Sequence, residues 1–424
     1  MSTRLSDPRA AAPDSGPSAR PARGIAHAPA RIPQRLLAAA RHAAPALIGY
    51  LLVRALAVGV LLHWHAQRLP HGQSNLHYLS TLWDAVWYQN IAVHGYAGTA
   101  PTAGPYGLYQ PYAFFPVYSM LIRTVCWVLP LSVNHAALLI AWGSALLAAW
   151  GIFAVAAKLY GRRAGVIAAV LWGVTPYAVV ESLAYSELPF TALAAWAMYA
   201  AVTRRWVWAG VLSTLAGLTR PTGVAVAAAV GIGAVCALGL QWWKDRRGEL
   251  AEEDRLAWWR PLLGAAVAPL GFVGFIVWVG SVKGRWDAYF RIQDAWQSHF
   301  DFGRSTYHSI RTMLTVAGPV WMTDVVVTGV LAGSVLLFAV CLLQRQPPTL
   351  LVYSAMMLLL ALGDAAYFNS RARFLVPAFA LLFPLAAALA RVRTKGVAAV
   401  VLGSAALCSA AYGGYVVFVY TNSP

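Results

Sequence analysis

Long apolar segments alternate with short polar connections along most of the chain, and this pattern limits the folds open to it. Eleven such segments follow one another: 45–63, 136–157, 164–181, 186–202, 206–219, 222–241, 261–282, 322–343, 348–367, 373–390 and 396–420. Most approach the roughly 20 residues that a helix needs to cross a bilayer. Only 11% of the residues are charged, against roughly 25% in a typical soluble domain. The sequence therefore predicts an all-α polytopic membrane protein.

The net charge of +17 does not indicate a nucleic-acid partner. Lys and Arg occur in short clusters between apolar segments, which is typical of residues that orient a protein in a membrane. We therefore predict a multi-pass membrane protein in contact with membrane lipids. We expect it to lie in the plasma (inner) membrane. The four cysteines, Cys126, Cys236, Cys341 and Cys408, all lie in apolar segments. They indicate buried thiols rather than a disulfide framework, and no His or Cys spacing predicts a metal site or a cofactor.

One apolar segment, 113–130, decides the predicted topology. If it crossed the membrane, the basic cluster at 158–163 would lie outside, against the usual charge bias. If it re-enters or lies on the outer surface, every basic cluster between spans becomes cytoplasmic. Pro116 near its start fits a broken or partial helix. We therefore predict about eleven spans, with the N-terminus inside and the C-terminus outside.

This topology divides the chain into a tail and one membrane domain. Residues 1–40 are rich in Ala, Pro, Ser and Arg, and we predict a disordered basic cytoplasmic tail there. Residues 41–424 form a single transmembrane domain with two long outer loops, 64–135 and 283–321. The aromatic and acidic residues of the second loop predict a lid that lies on the bilayer.

A polar and aromatic stretch in the first outer loop is the strongest candidate for a site. Read as one helix, residues 81–96 place Asp84 and Tyr88 one turn apart on one face, with Trp83 and Trp87 beside them. An acid among aromatic side chains at a membrane surface suggests proton removal from an amphiphilic substrate. The alternative is structural: Thr81 and Asp84 have the spacing of a capping box, in which Asp84 would only satisfy backbone amides.

Three arginines at predicted outer boundaries are candidates for an anion site. Arg220 lies between two apolar segments and is followed by a proline, so the helix must break there. Arg371 and Arg373 open a late apolar segment. Each arginine suits a phosphate that leaves with negative charge, although Arg220 also fits a salt-bridged hinge and the other two fit interfacial anchors. Glu181 and Glu187 flank an outer turn, where either could pair with Arg220.

Several blocks of the sequence resemble the PIG-V family of mannosyltransferases, including its bacterial relatives. The resemblance covers residues 80–390 and rests on five blocks in the family's order: Trp83-Asp84-Ala85-x-Trp87-Tyr88, Phe114-Phe115-Pro116-Val117-Tyr118, Tyr185-Ser186-Glu187-x-Pro189-Phe190, Leu218-Thr219-Arg220-Pro221-Thr222-Gly223 and Arg371-x-Arg373-Phe374. The chain departs from the family at Ala85, where a Gly is usual, and at Ala372-Arg373-Phe374, where Pro-Arg-Tyr is common.

The resemblance implies a GT-C fold with its active site on the extracytoplasmic side. It also implies a polyprenyl-phosphate sugar donor, usually mannose, no metal requirement, and Asp84 as the essential acid. We therefore predict a glycosyltransferase that moves a sugar to a lipid-linked or glycolipid acceptor, with Asp84 as general base. We assign the donor phosphate to Arg220, Arg371 and Arg373. The sugar or lipid pocket is assigned to Trp83, Trp87, Tyr88, Phe115, Tyr118 and Glu187.

Two other functions fit the same sequence. A transporter or flippase of a lipid or glycolipid would also have many spans, a broken helix and buried arginines. It would place its polar groups near the bilayer midplane, whereas the polar groups here gather on one predicted side. A non-catalytic membrane partner of another glycosyltransferase would keep the Asp84 stretch for packing alone.

Overall fold

The computed structural model describes residues 32–68, 74–316, 318–365, 367–394, 396–420 and 422. Of the predicted tail, residues 1–31 lie outside the described residues, while residues 32–40 belong to the first helix. The prediction of disorder up to residue 40 is therefore wrong for 32–40. The chain divides into two units, and the second, Ala43–Pro424, holds every side-chain contact described below.

Helices dominate the described part of the chain. They are α1 (Ile32–Arg68), α2 (Asn75–Thr81), α3 (Asp84–Gly98), α4 (Pro116–Val128), α5 (Val133–Tyr160), α6 (Arg162–Trp172), α7 (Glu187–Val202), α8 (Trp206–Gly217), α9 (Gly223–Arg246), α10 (Trp259–Val267), α11 (Leu270–Lys283), α12 (Ala288–Asp294), α13 (Arg304–Thr315), α14 (Met322–Leu343), α15 (Pro348–Gly363), α16 (Arg371–Phe374), α17 (Phe383–Arg391) and α18 (Val397–Tyr415). Strands β1 (Thr102–Gly104) and β2 (Gly107–Tyr109) form one antiparallel hairpin.

Six described helices are long and apolar enough to cross a membrane: Leu37–Arg68, Val133–Tyr160, Gly223–Arg246, Trp259–Lys283, Met322–Leu343 and Val397–Tyr420. A seventh candidate is the pair Phe368–Phe374 and Phe379–Arg391, which is bent by 76°. The other predicted spans coincide with α6, α7, α8 and α15, which have 11, 16, 12 and 16 residues. The chain is an all-α, multi-pass membrane protein, and spanning by the four shorter helices stays a prediction.

Small residues bring the helices of the core close together. The buried interior around α5, α7 and α9 is rich in alanine, and small side chains let helix backbones approach in a membrane. One close approach lies between α8 and α10, where a Cβ added to Gly210 would lie 2.5 Å from the carbonyl oxygen of Gly264. This packing holds the short helix α8, whose end leads directly into the candidate site.

The segment that decided the predicted topology forms the short helix α4. Pro116 occupies its first turn, and its 13 residues span roughly 20 Å, less than the ~30 Å hydrocarbon core. Tyr118 and Ile122 are buried, whereas Trp127 is 87% exposed. A helix of this length with one buried and one exposed face agrees with the prediction that 113–130 does not cross the membrane.

The late apolar segment is not the continuous helix predicted for 373–390. It breaks after α16 and resumes as a 3₁₀ turn, Phe379–Leu382, that leads into α17. The break frees backbone carbonyls, and buried side chains bind two of them. Trp172 Nε1 donates to Val376 O at 2.9 Å, and Tyr353 OH donates to Pro377 O at 2.8 Å. Irregular backbone within a membrane protein persists where protein groups satisfy it in this way.

Candidate active site

Asp84 begins a helix immediately after a strained turn. The predicted single helix through Thr81 is wrong, because α2 ends at Thr81 and α3 starts at Asp84. Between them Trp83 has φ 48°, which is rare for a bulky side chain and marks strain that functional sites often hold. The capping-box alternative is wrong as well, since no side chain caps α3 and the Thr81 hydroxyl bonds to His77 O.

The carboxylate of Asp84 ends a chain of alternating charges. Asp84 Oδ2 accepts a hydrogen bond from an Arg373 terminal nitrogen at 2.9 Å. Arg373 Nε lies 3.3 Å from Glu187 Oε1, and Glu187 Oε2 lies 2.6 Å from a terminal nitrogen of Arg220. Two guanidiniums and two carboxylates thus balance in formal charge. Glu187 is buried, whereas the Asp84 side chain keeps 23% of its surface exposed.

The Tyr185–Glu187 turn contacts the guanidiniums of both Arg220 and Arg373. Ser186 Oγ accepts from Arg220 at 2.8 Å and lies 2.7 Å from the Tyr88 hydroxyl. The Tyr185 ring lies under the Arg373 guanidinium, 5.4 Å from its centre. Burial raises the pKa of Tyr88, so its phenol stays protonated and available as a donor at neutral pH. The turn therefore links the Asp84 helix to both arginines.

Arg220 reaches this cluster because the chain breaks between α8 and α9. The backbone N–H of Arg220 bonds to Ala216 O at 3.2 Å, which closes the last turn of the short helix. Pro221 follows and prevents the helix from continuing. A backbone bond from α4 also holds the hinge, since Val117 N donates to Leu218 O at 3.1 Å. This bond holds the start of α4 next to the Arg220 hinge. The sequence predicts residues from both segments in one site.

A cavity of about 790 Å³ opens beside the charged chain. Its walls come from five parts of the chain that the predicted topology places outside or at the outer boundary. They include Trp83, Asp84, Trp87, Tyr88, Asn90, Thr102, Tyr109, Phe114, Arg220, Gln293, Trp296, Ser298, Tyr367, Asn369, Arg373, Phe374 and Tyr420. Among the described residues of the basic clusters predicted to be cytoplasmic, none lines the cavity.

One wall of the cavity is aromatic. The Trp87 ring stacks on Phe114 at 5.5 Å and meets the edge of Trp296 at 5.9 Å. Trp296 in turn stacks on Tyr109 at 3.9 Å. We call Trp87, Phe114, Trp296 and Tyr109 the aromatic wall. It starts at Trp87, one helical turn from Asp84, and ends at Tyr109 on strand β2.

Four predicted site residues do not line the cavity. Arg371 is 1% exposed and donates to Ser305 Oγ at 2.7 Å, to Asp364 O at 2.6 Å and to the Thr306 hydroxyl. It braces α13 against the end of α15, which explains its burial without any ligand. The other three are Phe115, Tyr118 and Glu187.

Each of these three is buried and contacts other residues of the protein instead of lining the cavity. Phe115 is buried against Phe275, with ring centres 4.2 Å apart. Tyr118 is buried and donates to Ala137 O at 2.9 Å. Glu187 holds the arginines, as the predicted pairing with Arg220 required. Phe115, predicted as a pocket residue, does not line the cavity, whereas its neighbour Phe114 does.

In the described part of the predicted lid, 283–321, only residues between 293 and 298 line the cavity. Gln293, Trp296 and Ser298 line the cavity, and Gln293 also donates to Ala113 O at 3.3 Å. Asp287 bonds instead to Arg285 and Arg291, which lower its pKa below the usual value. Its contacts thus lie within the loop itself.

Sequence reasoning missed Ser186 as the link between Arg220 and Tyr88, and it missed Tyr109 and Tyr367 in the lining. The tyrosines carried a weak signal, since Tyr109 lies in the predicted outer loop 64–135 and Tyr367 lies at the end of the predicted span 348–367. The two hydroxyls lie 3.3 Å apart and both residues line the cavity, although they are 258 positions apart in the sequence. Among the described residues, no group of three or more His, Cys, Asp or Glu is placed to hold a metal ion.

Neither a protein-family model nor a curated protein sequence matches this chain. Solved structures do resemble it. ArnT from Cupriavidus metallidurans, bound to undecaprenyl phosphate, is 16% identical with a TM-score of 0.50, over 84% of this chain and 63% of ArnT. The archaeal oligosaccharyltransferase AglB from Archaeoglobus fulgidus, in complex with an inhibitory peptide and a dolichol-phosphate, is 15% identical with a TM-score of 0.46, over 85% and 55%.

The chain thus spans less than two thirds of the length of each of these proteins. At this level of identity the ArnT likeness concerns the fold alone. It identifies the fold of the chain as that of the GT-C membrane glycosyltransferases, which confirms the fold predicted from the sequence.

Proposed function

We propose that this protein transfers a sugar, most simply mannose, from a polyprenyl-phosphate donor to an acceptor hydroxyl on the extracytoplasmic side of the membrane. The observation that carries this proposal is the Asp84–Arg373 contact of 2.9 Å on the wall of a cavity that Arg220 also lines. A base and two cations thus face the same space. Glycosyl transfer from a lipid phosphate needs this combination, because one oxygen loses a proton while another gains negative charge.

In the proposed step, the acceptor oxygen attacks the anomeric carbon and Asp84 takes its proton. The bond between that carbon and the phosphate oxygen breaks, and its electron pair stays on the phosphate. Because the attack comes from the face opposite the phosphate, the configuration at the anomeric carbon is inverted. The carboxylate loses one negative charge as the phosphate gains one, and the net charge of the site is unchanged. Arg373 and Arg220 stabilise the departing phosphate, while the base contributes about 10²–10⁴-fold to the rate.

The resting contacts imply that donor binding prepares the base. Arg373 bonds to Asp84 through one nitrogen and faces Glu187 through another. A phosphate that takes the Asp84 side of this guanidinium would free the carboxylate for the acceptor. Glu187 would keep Arg373 in place during the exchange, since it lies on the buried side of the guanidinium.

Three further observations support transfer rather than transport. The lining comes from segments that the predicted topology puts on one side of the membrane, whereas a transporter needs access from both sides. The blocks that resemble the PIG-V family contribute Asp84, Arg220 and Arg373 to one cavity. ArnT, which shares the fold, has been seen with undecaprenyl phosphate. We propose a lipid-linked glycan or glycolipid as acceptor, with its sugar ring against the aromatic wall.

The direct test is an assay on the purified protein in lipid nanodiscs. We expect polyprenyl-phosphate mannose to be consumed, and free polyprenyl phosphate to appear by mass spectrometry, only when a glycolipid acceptor is present. Polyprenyl-phosphate glucose serves as the comparison donor. In proteoliposomes, movement of the lipid between leaflets with every glycosidic bond intact would contradict the proposal and favour a flippase.

The aromatic wall yields a prediction of its own. Trp296→Ala removes the ring that joins Trp87 to Tyr109, and we expect the acceptor KM to rise roughly tenfold, as for loss of a stacking ring. The donor KM should stay within twofold, because the guanidiniums are untouched. Steady-state kinetics with each substrate varied in turn measure both constants.

Trp286→Ala is the matched control, because Trp286 lies on the same loop, is 84% exposed and does not line the cavity. Its KM values should equal those of the wild type. An unchanged acceptor KM in the Trp296 variant would exclude the aromatic wall from acceptor binding.

A further inference from the structure

A second pair of buried charges lies in the membrane domain, outside the candidate site. Arg54 is on α1, the first membrane-length helix, and is only 7% exposed. Its partner Glu181 is 2% exposed and lies between α6 and α7. Ionisable groups in a membrane segment are costly, and a functional reason is the default expectation. The proposed chemistry uses neither residue.

The contacts of Arg54 converge on one short segment. Its guanidinium donates to the Ser182 hydroxyl and, at 3.3 Å, to Gly173 O, and its Nε lies 3.7 Å from Glu181 Oε2. The same carboxylate oxygen accepts from the Tyr50 hydroxyl at 2.8 Å. Helix α1 thus holds residues 173–182 at both ends of the segment.

Stability alone does not account for this pair. Within the described part of the chain, Arg54 Nε and Glu181 Oε1 have no hydrogen-bond partner. Buried ion pairs with incomplete hydrogen bonding are commonly no more stable than apolar replacements. Such a pair contributes chiefly by fixing a particular arrangement, and the question is which arrangement it fixes here.

The segment held by Arg54 leads directly to the candidate site. Residues 178–182 form a 3₁₀ turn, and no regular helix separates them from the Tyr185–Glu187 turn. Four residues beyond Ser182, Ser186 bonds to Arg220, and the next residue holds both guanidiniums. Trp142 adds one more contact from α5, donating to Ser182 O at 3.2 Å.

We propose that the Arg54–Glu181 pair is a positioning device that sets the place of Ser186 and Glu187, and through them the spacing of Arg220 and Arg373. This inference rests on the proposed function in one respect: it assigns the two guanidiniums to a lipid phosphate. Arg54 and Glu181 themselves touch neither substrate nor reacting atoms.

The test compares Arg54→Met with the double variant Arg54→Met/Glu181→Met in nanodiscs. Hydrogen–deuterium exchange of the peptide 178–190 reports how firmly the turn is held, native mass spectrometry reports undecaprenyl phosphate binding, and thermal unfolding reports stability. In Arg54→Met we expect faster exchange in that peptide and an affinity lower by roughly tenfold, the scale of coupling through packed neighbours. The double variant should regain thermal stability, because no unpaired charge remains, yet keep the fast exchange and weak binding.

Arg163→Met is the matched control. Arg163 also donates to a backbone carbonyl, Val392 O at 3.0 Å, but from the opposite end of α6. Its exchange pattern and affinity should match the wild type. Tyr50→Phe removes one hydrogen bond to Glu181 while keeping the ring stacked on Trp172, so its effect should be intermediate.

The outcomes separate the two proposals. Recovery of exchange and affinity together with stability in the double variant would overturn the positioning role and leave a purely structural pair. Unchanged exchange in Arg54→Met would overturn it as well. If the wild-type protein fails to bind undecaprenyl phosphate, the proposed function loses its support, while the exchange measurements still decide whether Arg54 positions the turn.

Discussion

The variant Asp84→Asn is expected to lose at least 10²-fold in sugar transfer while remaining folded in the membrane. Asparagine keeps the size of the side chain but cannot accept the acceptor's proton, and general bases contribute about 10²–10⁴-fold to rate. Binding of undecaprenyl phosphate should not weaken, because the change removes an anion that competes for Arg373. Donor turnover and lipid binding, measured on the same nanodisc preparation, check both parts.

Asp245→Asn is the matched control for this variant. Asp245 pairs with Arg255 at 2.8 Å, close to the 2.9 Å of the Asp84–Arg373 contact, but it is half exposed at the end of α9 and does not line the cavity. It should transfer sugar at the wild-type rate. Near-normal turnover by Asp84→Asn would exclude Asp84 as the base and with it the proposed chemistry.

The second large effect is expected from Arg373→Gln, which should weaken undecaprenyl phosphate binding by roughly 10- to 100-fold, the scale of losing a charge-assisted contact. Transfer should fall further, because the same guanidinium stabilises the charge that develops on the phosphate. In this variant Glu187 loses its contact with the Arg373 guanidinium and keeps the one with Arg220. Native mass spectrometry and single-turnover kinetics measure the two losses.

Arg371→Gln should give the opposite pattern. Arg371 contacts Ser305, Thr306 and the backbone of Asp364 and does not reach the cavity. Its loss should lower the melting temperature, while protein that remains folded binds the lipid phosphate as the wild type does. If Arg371→Gln lost as much lipid affinity as Arg373→Gln, Arg371 would also take part in donor binding. That result would contradict the buried, bracing arrangement of Arg371.

The sequence predicted the membrane class and the outline of the site because both depend on local signals. Apolar length identifies membrane helices, since a helix rises a constant distance per residue. Pro221 after Arg220 predicted the hinge from steric limits that act between neighbours. The Asp84 stretch carried an unusual density of aromatic and acidic residues, and Asp84, Trp83, Trp87 and Tyr88 do line one cavity.

Local signals were insufficient where two conformations differ only in tertiary packing. The break after α16 depends on Trp172 and Tyr353, which bind the carbonyls that the break frees from positions far away in sequence. The turn at Trp83 is likewise strained by itself. It follows that 81–96 and 373–390 appeared as continuous helices when only their own residues were considered.

By itself, then, the sequence determined that the chain crosses a membrane many times, that Asp84 lies among aromatic side chains, and that arginines interrupt apolar segments. Only the tertiary structure decided which arginines meet Asp84. Arg371 and Arg373 are two residues apart, so on a helix they point about 200° from each other. One faces the cavity and the other braces α13. The aromatic wall was decided in the same way, because its four rings come from distant segments that meet only when the helices pack.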